Sequence, residues 1–487
     1  MNVPLRRVAT VVLVMFLALM VSTTYIQFVQ ADSLNNDPRN KRQVYREYGN
    51  FRGPIVVAGE SVALSTPVDD PYGYQRSYTN GPVFGHVTGY FSIVNGKSAI
   101  ESTENEFLNG QASTLWIDRL QGMITGQKPQ GASVELTIDP AAQQAAYDAL
   151  GEQRGAVVAI EPATGKILAM VSKPSYDPNV LATHDTKAAS EAYQSLINAD
   201  GDPLVNRAIA GNTYPPGSTF KLVTAAAALE SGQYTPDTVI PAPDEYQYPN
   251  STATMKNFGG ARCSPSGEQT LADAMRISCN TAFADLGVTL GGDAMRSQSE
   301  DFGFDSKLSV PMTVTASHFP DAEVTDDGGQ LARASIGQGD VRATPLQIAM
   351  ISAAIANGGK QMTPYTVQTV RGADLEVVEQ TEPSLLRTSV SPTTAQQLTS
   401  MMISVVENGS GKPARISGVQ VAGKTGTAEN DPEKAPHAWF TGFAPADNPQ
   451  VAVAVIVENG GDRGNEATGG AVASPIAKAV MEAVLNK

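Results

Sequence analysis

Cysteine and histidine are scarce in this sequence. Two cysteines (Cys263 and Cys279) and four histidines (His86, His184, His318 and His437) are spread through 487 residues. The histidines are scattered without ligand spacing, so no metal is implied. No G-x-S-x-G elbow is present either, which removes one setting for a Ser-His-Asp triad. Basic residues are in deficit, 34 Lys and Arg against 49 Asp and Glu, for a net charge of −15. Phosphate backbones recruit basic surfaces, so this balance argues against a nucleic-acid binder. Repeats and low-complexity tracts are absent, and only one long uncharged run exists. What is left is an ordinary globular composition, 41% hydrophobic and 17% charged. The chain is long enough for two or more domains with a substantial core.

The single uncharged run is "VATVVLVMFLALMVSTTYIQFVQ", 23 residues from Val8 to Gln30. It is long enough to span a bilayer, and Arg6 and Arg7 put residues 1–7 on the cytoplasmic side. The competing reading is a signal peptide cleaved after "VQA" at 29–31. An apolar region of about 7–15 residues is usual there, so the longer run reads as an uncleaved anchor. The protein is then a single-pass protein of the cell membrane with its bulk outside. In that compartment Cys263 and Cys279 can form a disulfide. The bridge would close a loop of about 15 residues and stabilise by about 3 kcal/mol in the chain-entropy model. Two independent buried thiols are the alternative.

Residues 31–132 read as one unit. The polar, basic "ADSLNNDPRNKRQVY" (31–45) is a connector, and "GPIVVAGESVALS" (53–65) and "GYFSIVNG" (89–96) suit strands between turns. This predicts a small, β-rich domain. The texture changes at Ser133, where "VELTID" reads as a strand. A helix follows, with Asp139 as cap and Pro140 in its first turn. Residues 155–162 and 165–172 form a hairpin signal. Three more strands come near the end, "VQVAGKTGTA", "HAWFTGFAP" and "VAVAVIVE", before a closing helix, "SPIAKAVMEAVLNK". Two strands at the start and three at the end, with helical sequence between, predict one mainly antiparallel five-stranded sheet in residues 133–487. The expected class is α/β (α+β).

Gly418 to Thr425 satisfies G-x-x-x-x-G-K-[ST], the phosphate loop of nucleotide enzymes. That loop needs a helix starting at its lysine. Here Val419 and Val421 alternate like a strand, and "TGTAENDPEKAP" cannot propagate a helix. The nucleotide match is accidental on this reading. Lys424-Thr425-Gly426 is also the K-T-G triplet of serine acyl-enzymes, which calls for two upstream motifs. Both are present. In "YPPGSTFKLVTAAAALESG", Pro215-Pro216-Gly217 forces a turn, Ser218 opens a helix and Lys221 shares its face one turn on. A lysine whose pKa is depressed by burial and a neighbouring cation can take the proton of a serine hydroxyl. In "LADAMRISCNTAFADLG", Ser278-Cys279-Asn280 supplies S-x-N. Asn280 taken alone reads equally as a helix cap. The order of the three motifs in an exported protein makes the set informative.

On these motifs the sequence resembles the class B penicillin-binding proteins, monofunctional D,D-transpeptidases of peptidoglycan synthesis. It is most similar to their actinobacterial penicillin-binding protein A group. "PRNKR" (38–42), "RGPIVVAGESVALS" (52–65), "NGKSAIESTENEFLNG" (95–110) and "SIGQGDVRATPLQIA" (335–349) extend the likeness over nearly the whole chain. Ala58-Gly59-Glu60 departs from the Asp-Arg of many relatives, away from the chemistry. The resemblance implies a penicillin-recognising transpeptidase fold with helices on both faces of the sheet and an all-helical subdomain, on a pedestal and a membrane anchor. It implies Ser218 as nucleophile, Lys221 as base, Ser278 as proton relay and Asn280 as partner of Lys221 and of the substrate amide. Lys424, Thr425 and Thr427 are implied to hold the terminal carboxylate, with the backbone N–H groups of Ser218 and Thr427 as oxyanion hole. Gly426 is expected to let the acyl chain lie against the strand. The implied ligands are stem peptides ending in D-Ala-D-Ala and β-lactams. The implied partners are the membrane, a glycosyltransferase and division proteins, with no cofactor and no nucleotide. Within the fold the rivals are a D,D-carboxypeptidase or a β-lactamase, although no Glu-x-x-Leu-Asn lies between Asn280 and Lys424. A β-lactam-sensing receptor or an inactive division scaffold are the readings of another class.

Overall fold

The computed structural model describes residues 2–30, 34, 48–115, 130–211, 213–429 and 433–486. The connector read at 31–45 falls outside the described residues except for Leu34. At the N-terminus, helix Asn2–Thr24 continues through Val29 with its side chains exposed. The 27-residue, predominantly apolar span Val3–Val29, which includes Arg6 and Arg7 near its start, makes a rod of about 40 Å, enough to cross a bilayer.

The pedestal is built on a six-stranded sheet in the order Val377–Gln380, Val367–Arg371, Ser133–Leu136, Ile55–Val57, Glu60–Pro67, Tyr74–Tyr78. Ser133–Leu136, expected to open the second domain, pairs parallel with Ile55–Val57. Its alternate residues Val134 and Leu136 are buried. Strands from 367–380 extend the same sheet, so the two units share it. The pedestal is also less purely β than expected. Helices Gly81–Thr88, Ala99–Thr103 and Asn105–Leu108 lie within it, and 89–96 contributes the short strand Phe91–Ser92, paired antiparallel with Gly96–Lys97. An ionic cluster ties it together. Buried Glu101 accepts from Arg52 Nε (2.5 Å), Arg76 Nε (2.6 Å) and the Tyr78 hydroxyl (3.0 Å). Burial pushes the Glu101 carboxyl up, but the charges of Arg76 and Arg52 outweigh it and hold the pKa below its ordinary value.

The second sheet is the expected five strands, all antiparallel, in the order Ala422–Ala428, His437–Ala444, Val451–Val457, Gly155–Ile160, Ile167–Lys173. Period-2 alternation divides it cleanly. Val157, Ala159, Val453 and Val455 face helices Pro140–Leu150 and Ser474–Leu485. Ala156, Val158, Ala454 and Ile456 face the opposite layer, which contains helix Pro345–Ala356. The Asp139 carboxylate caps the first of these helices by accepting from Ala142 N at 2.8 Å. Between the two ends of the sheet lie helices Lys221–Glu230, Leu271–Ile277, Asn280–Leu290, Gly292–Asp301 and Pro392–Asn408. Short two-stranded ribbons accompany them, among them Val239–Pro241 with Glu268–Thr270 and Glu245–Gln247 with Thr254–Lys256. The helical subdomain therefore carries some strand.

Candidate active site

Ser218 sits in a tight helical turn, Gly217–Phe220, that runs into helix Lys221–Glu230. Gly217 takes the positive φ (+54°) that lets the chain leave Pro215-Pro216 and enter this turn. Its N–H donates to Gly337 O at 2.8 Å. A Cβ on Gly337 would stand 2.2 Å from Gly217 O, so the 335–349 stretch holds the serine turn from below. The Trp439 indole adds a bond to Pro215 O at 3.1 Å.

Lys221 is fully buried. Its Nζ donates to Ser278 O and to Asn280 Oδ1, both at 2.7 Å, and lies 3.3 Å from Ser278 Oγ. Ser278 occupies a left-handed conformation (φ +62°) between two helices, which aims its hydroxyl at both lysines. Lys424, also fully buried, donates to Ser278 Oγ at 2.8 Å and to its neighbour's carbonyl, Thr425 O, at 2.9 Å. The result is a chain Lys221–Ser278–Lys424 with no carboxylate paired to either lysine among the described residues. Burial, then the charge of Lys424, pull the Lys221 pKa well below its ordinary value. Burial alone brings Lys424 down to about 7.

Lys424 is in the middle of edge strand Ala422–Ala428 and starts no helix, while Gly418 is a positive-φ turn residue. That geometry excludes a phosphate loop. The fold itself gives Gly426 a reason to be small. A Cβ there would meet Pro216 O and Trp439 Cβ at 3.0 Å and Thr219 Cγ2 at 3.1 Å, so the serine turn itself occupies the space. Thr425 and Thr427 also differ from each other. The Thr425 hydroxyl lies 2.6 Å from Ser410 Oγ, whereas half-buried Thr427 lines the open cleft. The serine turn and this strand touch, since a Cβ on Gly217 would come 2.9 Å from Thr427 O. The cleft, about 890 Å³, continues past Asn280 and Thr427 to Glu429, Arg333, Tyr248 and Phe258.

Two supports escape a reading of the sequence. Asn257 Oδ1 accepts from Asn280 N (2.9 Å) and Thr281 N (3.1 Å), capping helix Asn280–Leu290 from a distant loop. Asn280 is thus no cap, and its side chain is left for Lys221. The Gln338 amide, with N toward Glu429 O and O toward Glu429 N, makes two 3.1 Å bonds to the end of the Lys424 strand. A glutamine flanked by Gly337 and Gly339, both at positive φ, was the available signal. Cys263 and Cys279 are joined in a disulfide, Cα–Cα 5.8 Å, which ties the Asn257 loop to the S-x-N motif.

Residues 155–482 match the penicillin binding protein transpeptidase domain. The chain belongs to the penicillin-binding protein family. Residues 52–134 match the penicillin binding protein A dimerisation domain. Across its full length this penicillin-binding protein is 45% identical to peptidoglycan D,D-transpeptidase PbpA of Mycolicibacterium smegmatis, all of which is covered. PbpA of Mycobacterium tuberculosis is also 45% identical, over all of this chain and 99% of that one. The ceftriaxone acyl-enzyme structure of penicillin-binding protein A from M. tuberculosis superposes with a TM-score of 0.87 at 44% identity. That match covers 91% of this chain and 100% of the other.

Proposed function

We infer that this chain is a peptidoglycan D,D-transpeptidase acting through Ser218. The observation that carries the reading is the buried chain Lys221–Ser278–Lys424 beside the turn that presents Ser218. Lys221, neutral because its pKa is depressed, takes the Ser218 proton as Oγ attacks the carbonyl between the two terminal D-alanines. The backbone N–H groups of Ser218 and Thr427 stabilise the oxyanion. As the C–N bond breaks, the proton passes through Ser278 to the departing D-alanine amine, or to the nitrogen of a β-lactam ring. Asn280 holds Lys221 and the donor amide. Lys424 and Thr427 bind the terminal carboxylate, and Thr425 joins them when its hydroxyl turns from Ser410. An amine of a neighbouring stem peptide then attacks the ester carbonyl. The C–O bond to Ser218 breaks, the serine regains its proton, and an amide crosslink remains. Ala422–Ala428 is an edge strand with no partner strand on its outer side among the described residues, where an extended peptide can lie.

The N-terminal apolar helix anchors the protein in the cytoplasmic membrane. Arg6 and Arg7 argue for a cytoplasmic N-terminus and an external catalytic domain. A glycosyltransferase supplying glycan strands and proteins of the division machinery are the partners this role calls for. The test is covalent labelling of the full-length protein in detergent. Benzylpenicillin should add one equivalent at Ser218 and none in Ser218→Ala, and donor with acceptor peptides should give crosslinked product. An adduct persisting in Ser218→Ala removes the assignment, and rapid hydrolysis of the adduct makes the protein a β-lactamase.

A further inference from the structure

Arg333 is a cation in the donor cleft that the reaction above does not use. It sits exposed in the last turn of helix Gly328–Ala334 and makes no ion pair with any described residue. Its backbone is tied to the Lys424 strand through Gln338. The Arg333 carbonyl accepts from Gln338 N at 3.0 Å, and the Gln338 side chain clamps Glu429 at the end of the Lys424 strand. The direction of the substrate follows from the strand. If the terminal carboxylate lies at Lys424, the donor on the acyl side of the scissile bond runs past Thr427 toward Glu429. The cleft there is walled by Tyr248, Met255 and Phe258, the last 59% exposed, with Arg333 among them. An apolar shelf beside an unpaired guanidinium suits an aliphatic or aromatic arm that ends in a carboxylate. Lys256, Lys434 and the Glu429 carboxylate line the same cleft, and Glu245 already pairs with Lys256 at 2.7 Å.

We propose that Arg333, with Tyr248 and Phe258, forms a subsite for a carboxylate carried on the donor upstream of the scissile bond. The proposal rests on Ser218 being the acylated residue. The test compares full-length protein in detergent with benzylpenicillin and α-carboxybenzylpenicillin, which differ by that one carboxylate. In Arg333→Gln the carboxylated penicillin should acylate about five- to tenfold more slowly, an effect in the range of a partly exposed charge-assisted bond. Benzylpenicillin should stay within about twofold of wild type, as expected where only a neutral contact changes. Arg333→Lys should recover part of the difference, raised ionic strength should shrink it in the wild type, and Lys256→Gln should change neither rate. Donor peptides ending in D-Ala-D-Ala with a carboxylate or a carboxamide on the upstream arm should reproduce the ratio in D-alanine release. Equal slowing of both penicillins, or of neither, overturns the subsite and leaves Arg333 as a helix-end charge. Failure of wild type to react with benzylpenicillin would overturn the Ser218 reading instead.

Discussion

Lys221 and Lys424 are buried with no carboxylate paired to either among the described residues, and the cost of that placement lowers both pKa values. In the proposed mechanism Lys221 serves as base only when neutral, and Lys424 binds a carboxylate best when charged. Acylation should therefore rise with pH as Lys221 loses its proton and fall above about 7 as Lys424 loses its own. Replacing Lys424 by Gln removes the positive neighbour that helps depress Lys221. The acid limb of the pH–rate profile should then move to higher pH while the rate falls, and an unmoved limb would show that the two lysines do not couple. Stability carries the opposite sign. The folded pKa of Lys424 lies below its unfolded value, so the unfolded chain binds more protons between about 7 and 10.5. The burial cost is thus full below about pH 7 and fades as pH rises toward 10.5. Lys424→Met should raise Tm, most below pH 7, while abolishing acylation. Thermal melts at pH 6 to 10 check this, with an unchanged or lowered Tm at pH 6 counting against it.

At the scale of elements, the S-x-N junction depends on a loop with no sequence signature. Asn257→Ala leaves the N–H groups of Asn280 and Thr281 without their acceptor, at a cost of about 1–2 kcal/mol. Asn280 would no longer be held against Lys221, so acylation should fall more than folding does, and Asn257→Asp should restore both. A loss confined to Tm would make Asn257 purely structural. The same junction marks what could be read beforehand. Val157, Ala159, Val453 and Val455 announce a two-faced sheet because their period is local, and Asp139-Pro140 announces a helix because capping is local. The three motifs could be picked out because each is a short run of chemistry-bearing residues, and the structure brings Lys221, Ser278, Asn280 and Lys424 together. Partners across long stretches of chain were not. Nothing in "VELTID" says that Ser133–Leu136 pairs with Ile55–Val57, and nothing around Thr425 says that its hydroxyl meets Ser410. Gly426 was legible as a close approach, but nothing in its surroundings says that the serine turn is packed against it.

For the whole molecule, the shared six-stranded sheet decides how the two units unfold. Ser133–Leu136 is central in it, flanked by Ile55–Val57 on one side and Val367–Arg371 on the other. Asn179, from the catalytic unit, also seals the outer edge of the sheet by bonding both Tyr78 N and Tyr78 O at 2.9 Å. A pedestal joined at both margins cannot melt without exposing backbone of the catalytic unit. Glu101 is a way to test this from the far side of the pedestal. Glu101→Gln leaves Arg52 and Arg76 buried with one less negative charge, which should destabilise by about 3–5 kcal/mol. If the sheet couples the units, calorimetry should record one transition shifted downward as a whole, and penicillin acylation should be lost over the same temperature range. Two separated transitions, with acylation surviving the first, would mean that the pedestal folds independently despite the shared strands.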